Sequence, residues 1–444
     1  MPPPTSPDSA DFAASGVRFV HAGLFDLDGV FREKRLPAEL ATRYLAEGWS
    51  FIDALPFWGP SDDLRGDRAW RSEPCALDEH SVRSYPFEAD AALVIADYTG
   101  PSRALSPRAI LATQIERAAD MGLAAVGASE FEFIILAESA ASVVRKRHEG
   151  LETYGQENRC WSGYFPATAA ELLAEYDAML GAGGIPLHHW CSELGPGCLE
   201  AALPPRPLLR AADDAALFKL FTKAFFTQRE LTASFMAQLT DAHPGLGGHP
   251  IVSLTDLAGA PLLADPERTT GLSPVGEAFV AGLLHGMPDL MAMFAGTVNA
   301  YRRYAPGNWA PRTATWGRDN YTCGVRVVTT PAAEARVEFR LPGADMNPHL
   351  AFAMFLGAGL HGVETGLALP PETRDIGRTL VHEAIGPLPR TLLEAAERFA
   401  ASSLSRRLFG DAFVDHYAAS RIAEDEAMRR HVAAFERERY LFHV

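Results

Sequence analysis

The sequence predicts an α+β protein in two parts: a small, mostly β N-terminal domain, then a larger domain in which helices cover a curved sheet. Three observations predict it. At 444 residues the chain exceeds what one ordinary core supports, so two domains are the natural division. The first hundred residues carry short apolar runs separated by turn residues. Beyond them, segments 130–133 and 336–341 alternate, with charge on one face and large apolar side chains on the other.

In chain order, residues 1–15 are rich in Pro, Ser, Ala and Asp and read as a flexible tail. Residues 16–105 form the small domain. The run VRFVHAGLFDLDGVFREKRL, from Val17, places Asp26-Leu27-Asp28-Gly29 between two apolar stretches, a hairpin signal, and 73–98 is a second strand-rich stretch ending in AALVIADY. Ser106-Pro107 opens a helix, with Ser as cap and Pro at the first helical position. Residues 106–444 then alternate long helices with short strands. Segment 211–240 reads as a helix burying Leu217, Phe221, Ala224, Phe225 and Phe235, and those aromatics are read as plain core.

In 130–135, Glu130 and Glu132 share one face while Phe131, Phe133 and Ile135 share the other; in 336–341, Arg336, Glu338 and Arg340 oppose Val337, Phe339 and Leu341. Each strand alone could be a half-exposed strand with a solvated charged face. Together they fit a curved sheet or barrel with a wet, charged cavity inside and helices outside.

Composition narrows the function. Acidic residues outnumber basic ones 56 to 40, a net charge of −16 that repels nucleic acid and anionic membranes. The five cysteines (Cys75, Cys160, Cys191, Cys198, Cys323) are odd in number, scattered and without a CxxC pair, which argues against a disulfide framework and a thiolate zinc site. With no signal-peptide pattern and no long apolar run, the expectation is a cytoplasmic protein without a membrane partner.

Two further segments carry chemistry. Across Gly195-Pro196-Gly197, Glu193 and Glu200 can converge because the bend reverses the chain between them. Gly245-Leu246-Gly247-Gly248-His249 is a glycine-rich loop delivering a histidine, although such a loop is usually a turn and a lone His is usually no ligand.

Five motifs occur in order: ExEF from Glu130, ExGPGxxE from Glu193, GxGxHxxxS from Gly245, NxYxRxxPGxxAP from Asn299 and RxExRxPGADxNP from Arg336. From about residue 17 to the C-terminus the chain thereby resembles the glutamine synthetase family, type I-like. Within it, the resemblance is to the γ-glutamyl-amine and polyamine ligase branch rather than to the ammonia-using enzymes. The resemblance implies a β-grasp-like N-terminal domain and an antiparallel funnel holding two divalent ions, Mg2+ or Mn2+, with ATP as co-substrate. It assigns Glu132, Glu193 and Glu200 to one ion and Glu130, His249 and Glu338 to the other. Oxygen-rich sets with one imidazole suit those hard cations. It assigns Arg303 to the α-carboxylate of an amino-acid substrate, Arg340 to its γ-carboxylate, Gly245 to the substrate pocket, and Ser253, Arg326 and Arg336 to the nucleotide. It also implies a homo-oligomer, a dodecamer of two stacked hexamers, in which Asp53 would be either an acidic residue contributed to a neighbour's site or a plain surface group.

Five departures from the family pattern bear on the reaction. Trp309 stands where ammonia-using members carry a Glu that attracts ammonium; an indole is neither base nor anion, so an amine with an organic body is favoured. Trp309 is accordingly placed among the catalytic and substrate-binding residues, the alternative being that it only props its loop. Tyr321 replaces an Arg and Ile251 a His on the phosphate side, Pro244 replaces an Asn beside the amino acid, and Cys198 replaces a Gln and reads as a small buried side chain. Two readings follow. One is an ATP-dependent ligase that phosphorylates the γ-carboxylate of glutamate, or an analogue, and joins it to an organic amine as a γ-glutamyl amide. The other is a catalytically weak relative serving as a binding or structural assembly.

Overall fold

A computed structural model of the chain describes residues 11, 12 and 14–443. Of the expected tail over 1–15, residues 1–10 and 13 lie outside the described residues.

Near the N-terminus, strands β1 (Phe19–Phe25), β2 (Phe31–Pro37), β3 (Trp49–Ile52), β4 (Ser72–Ser84) and β5 (Ala91–Tyr98) form one sheet in the order β2-β1-β5-β4-β3. The expected hairpin is β1–β2, closing with Phe25 opposite Phe31. Its turn is held by the Asp26 carboxylate, which accepts the N–H groups of Asp28 and Val30 and pairs with Arg32 at 2.8 Å. Strand β5 runs parallel to β1 and is buried on both faces, as its apolar run from Ala91 to Ala96 requires. Ala92, Val94 and Ala96 join Val20, Leu24, Trp49 and Phe51 in a small core. Leu93 and Ile95 point the other way, into the main core.

Ser106 caps the helix Pro107–Asp120, its hydroxyl accepting the Ala109 N–H. The second sheet comprises β6 (Leu123–Leu136), β7 (His189–Ser192), β8 (Cys198–Ala202), β9 (Arg206–Pro207), β10 (Thr232–Ser234), β11 (Gly248–Asp256), β12 (Trp316–Arg318), β13 (Val325–Val328) and β14 (Arg336–Phe339). Its main path is β12-β13-β14-β11-β6-β8-β7, with β9 and β10 also paired to β6. Every ladder is antiparallel except β12–β13, which is parallel. The fold is therefore the α+β arrangement with a curled sheet that the alternation predicted.

Strand β6 is the spine of this sheet. Its apolar face, Phe131, Phe133 and Ile135, is wholly buried. Phe131 stacks on Phe218, and Phe133 meets Phe218 and Phe226, all from the helix Leu208–Thr227. Each such ring stabilises the sheet–helix contact by roughly 2–3 kcal/mol through burial. The helix expected over 211–240 is shorter than that span. It ends at Thr227, the chain turns through Glu230 at φ 58°, and Phe235 packs on Phe133 at 5.3 Å from beyond β10. The residue is core, as read, but not helical.

Buried polar bonds lock the small sheet to the large unit. Arg83 pairs with Asp214 at 2.7 Å, Arg108 with Asp78 at 2.5 Å, and Arg421 with Asp28 at 2.7 Å; the Asn347 amide donates to the carbonyls of Asp26 and Leu27. Charges this deep persist only when paired. No described helix is long and apolar enough to cross a membrane.

Candidate active site

Strand register assembles the site. Glu130 on β6 lies opposite His249 on β11, and Glu132 lies opposite Glu200 on β8. Further along β11, Ile251 lies opposite Glu338 on β14, which in turn faces Arg326 on β13. Period-two alternation turns these side chains away from the aromatic face. The bend before Glu200 uses Gly195 at φ 106° and Gly197 at φ 70°, backbone states that favour glycine.

Three sets of donors converge, the ligand atoms within each lying within 4.8 Å of one another: Glu130, His249 and Glu338; Glu132, Glu200 and His249; Cys191, Glu193 and Glu200. All six carboxylate and imidazole positions drawn from the resemblance fall in these sets. Their grouping is as assigned for Glu130, His249 and Glu338. Glu132 and Glu193, assigned to one ion, belong to different sets. Glu193 is drawn toward the loop, where its Oε1 accepts from the Cys160 thiol at 3.3 Å and the Leu194 N–H at 2.9 Å.

These residues fit a hard divalent cation. Both ring nitrogens of His249 are buried and without a hydrogen-bond partner. Nδ1 lies 3.6 Å from Glu338 and 3.8 Å from Glu130, too long for hydrogen bonds. Burial, reinforced by Arg340, lowers the His249 pKa to about 3, so the ring is neutral, as a ligand must be. Burial, then repulsion from Glu130, Glu132, Glu193 and Glu338, pushes Glu200 up to about 9. A cation is the natural partner for such crowded carboxylates. Gly247 belongs to the same cradle: its N–H donates to Glu132 at 2.8 Å, and a Cβ there would stand 2.4 Å from His249 Nε2. That closeness accounts for the glycine.

Arg303 is 3 % exposed, donates to the Leu341 carbonyl at 2.8 Å, and has a buried Nε without a partner. Gly245 lies against it, since a Cβ there would meet Arg303 Cγ at 2.6 Å. Arg326 holds Glu338 at 2.9 Å, and Arg340 holds the other oxygen of the same carboxylate. Tyr321 sits beneath both guanidiniums, its ring centroid 4.2 Å from Arg326 and 5.2 Å from Arg340. The Ser253 hydroxyl donates to the Ala335 carbonyl at 2.6 Å, and Arg336 donates to the Glu334 carbonyl at 3.3 Å. The Trp309 indole is 54 % exposed and stacks on Arg378 at 4.3 Å. Asp53 accepts from Arg68 and from the Arg71 N–H, both at 2.8 Å, within its own chain. Cys198 is fully buried, and burial raises its thiol well above the ordinary value.

Two residues beside the carboxylates were missed from sequence. Cys191 sits opposite Glu200 and two residues before Glu193, so alternation on β7 could have found it. Cys160 comes from a loop that carries no local signal.

Comparison with known proteins shows the family and the fold. Residues 104–440 match the family described as glutamine synthetase, catalytic domain. The glutamate–isopropylamine ligase of a Pseudomonas species is 33 % identical over 435 residues, covering 95 % of this chain and 94 % of that protein. The γ-glutamylethanolamide synthetase GlnA4 of Streptomyces coelicolor is 33 % identical over 355 residues, covering 79 % of this chain and 74 % of that protein. A solved structure described as apo GmaS without ligand superposes with a TM-score of 0.83 at 26 % identity, over 96 % of this chain and 97 % of that one. The chain belongs to the glutamine synthetase family of ATP-dependent carboxylate–amine ligases.

Proposed function

We propose that this ligase phosphorylates the γ-carboxylate of glutamate with ATP and couples it to an organic amine, giving a γ-glutamyl amide, ADP and phosphate. The observation that carries this reading is the convergence of Glu130, Glu132, Glu200, His249 and Glu338 near buried Arg303, which has no carboxylate partner among the described residues. That pairs a hard-cation site with a carboxylate receptor. Two relatives named for isopropylamine and ethanolamide chemistry support an organic acceptor.

Divalent ions, Mg2+ or Mn2+, would be held by the six carboxylate and imidazole groups and would neutralise charge on the transferring phosphoryl group. The protein's own part is positioning. Arg303 grips the α-carboxylate with its planar fork, with Gly245 leaving room for that side chain. Arg340 meets the γ-carboxylate, and Ser253, Arg326 and Arg336 meet the nucleotide. A γ-carboxylate oxygen takes the terminal phosphoryl group of ATP, and ADP leaves. The amine nitrogen then attacks the acyl carbon, the carbon–oxygen bond to phosphate breaks, and the amine proton passes to a carboxylate or to water. At Trp309 the stack on Arg378 occupies one surface, and the exposed remainder of the indole is apolar area for the amine's substituent.

The chain works as a ring-shaped homo-oligomer, a dodecamer, in the cytoplasm. The test of the reaction is ADP release over a matrix of acids and amines. Turnover with glutamate and at least one of isopropylamine, ethanolamine, a diamine or aniline is expected, with ammonia poor. Preference for ammonia, or no nucleotide turnover with any pair, would overturn the reading.

A further inference from the structure

Beside the hard-cation set lies a corner of different chemistry, built from Cys160, Cys191, Glu193 and Glu200. Cys191 on β7 is directly opposite Glu200 on β8, and alternation places it on the same side as Glu193. One donor atom from each of these three lies within 4.8 Å of the others. The fourth donor comes from the loop preceding residue 163. The Cys160 sulfur is 3.3 Å from Glu193 Oε1, and the Cys191 sulfur is 3.8 Å from Glu200 Oε1.

That loop is pinned against β7. The Ser192 hydroxyl donates to the carbonyls of Arg159 at 2.9 Å and Ser162 at 3.0 Å, and the Trp161 N–H donates to the Ser192 carbonyl at 2.8 Å. The buried Asn158 amide adds a bond to the Cys198 carbonyl at 2.7 Å. Backbone bonds on both sides thus fix where Cys160 sits.

We propose that this corner is a site for a thiophilic divalent cation of the zinc class, overlapping the hard-cation set through Glu193 and Glu200. Two thiols and two carboxylates are a four-donor set that zinc accepts in tetrahedral geometry, whereas magnesium takes oxygen donors. With metal–sulfur near 2.3 Å and metal–oxygen near 2.1 Å, tetrahedral ligand atoms stand about 3.6 Å apart, and the Cys160–Glu193 and Cys191–Glu200 separations lie either side of that value; Cys191, Glu193 and Glu200 already converge, while Cys160 touches Glu193 from outside that group and has to draw inward to become the fourth donor. On binding, each thiol exchanges its proton, released to solvent, for a bond to the metal. The cation occupies Glu193 and Glu200, so it competes with magnesium and suppresses amide formation. That consequence alone rests on the proposed function; the site does not.

The test uses metal-free protein without nucleotide, acid or amine. Co2+ serves as optical probe and Zn2+ binding is measured by calorimetry, in wild type, Cys160→Ser, Cys191→Ser and the double variant. Thermal unfolding of each metal-free variant checks that it is folded. Wild type is expected to show thiolate-to-cobalt charge-transfer absorption and to bind Zn2+ at least about 10-fold more tightly than either single variant. The double variant is expected to lose the absorption. Wild type without thiolate absorption, or a folded double variant with undiminished zinc affinity, overturns the proposal. Neither readout involves ligase turnover, so failure of the reaction assignment would be seen separately.

Discussion

Replacing Glu132 by Gln isolates charge from shape. The Glu132 carboxylate accepts the Gly247 N–H at 2.8 Å and lies among the donors shared by Glu200 and His249. Glutamine keeps an amide oxygen for that N–H, and the side chain lies on the half-buried face of β6, so little packing is lost. Removing one negative charge also relieves repulsion on Glu200, whose pKa Glu132 helps to raise. The metal-free variant should therefore unfold within about 1 kcal/mol of wild type. Metal binding should fall steeply. Two unit charges 4 Å apart attract by about 4 kcal/mol at an effective dielectric of 20. Allowing for the water that replaces the ligand, a loss of about 3 kcal/mol, or roughly 100-fold in Mg2+ affinity, is expected. The assay is turnover against Mg2+ concentration, with thermal unfolding of the metal-free proteins in parallel. Wild-type turnover with unchanged Mg2+ dependence would remove Glu132 from the metal site; an unfolded variant would show its role to be structural.

Three further outcomes are expected. Trp309→Glu should move acceptor preference from alkylamine toward ammonia by about tenfold, since about 50 Å² of lost apolar contact at 25 cal/mol per Å² is about 1.3 kcal/mol; an unchanged ratio would leave the indole as a prop for its loop. Because burial and neighbouring carboxylates raise Glu200 from 4.5 to about 9, the folded metal-free chain binds more protons than the unfolded one between those values. Stability should then be highest below pH 4.5 as far as this group is concerned and should fall toward pH 9 by about 1 kcal/mol per unit after allowing for screening, with Mg2+ flattening the slope; a melting temperature in chelator that rises across this window would contradict the crowding. Light scattering should find a ring-sized assembly at working concentration, and a stable monomer would count against it.

How much was legible follows from what each feature depends on. The two-residue alternation of β6 and β14 is local, so their charged and aromatic faces were readable, as was the Asp26–Gly29 turn. Register is not local. That Glu130 meets His249 while Ile251 meets Glu338 depends on strands brought together by intervening helices, and the pairing of six donors came from resemblance rather than spacing. The helix stop after Thr227 was missed because no Gly or Pro marks it; the turn is made by Glu230 in a left-handed conformation that sequence does not advertise. Tyr321 was read only as a lost Arg. In the fold its ring lies under Arg326 and Arg340, a placement set by the loop between β12 and β13. Cys160 was invisible for a similar reason, since hydrogen bonds from Ser192 and Asn158 place it.

The central claim, an acyl-phosphate route from glutamate to a γ-glutamyl amide, is tested most directly by oxygen transfer. Glutamate labelled with heavy oxygen in its γ-carboxylate is incubated with ATP, Mg2+ and isopropylamine, and the phosphate released is weighed by mass spectrometry. In the proposed sequence one carboxylate oxygen leaves with phosphate each time an amide forms, so one label per phosphate, matched by one γ-glutamyl amide, is the expected result. Phosphate without label, or labelled phosphate without amide, would contradict it.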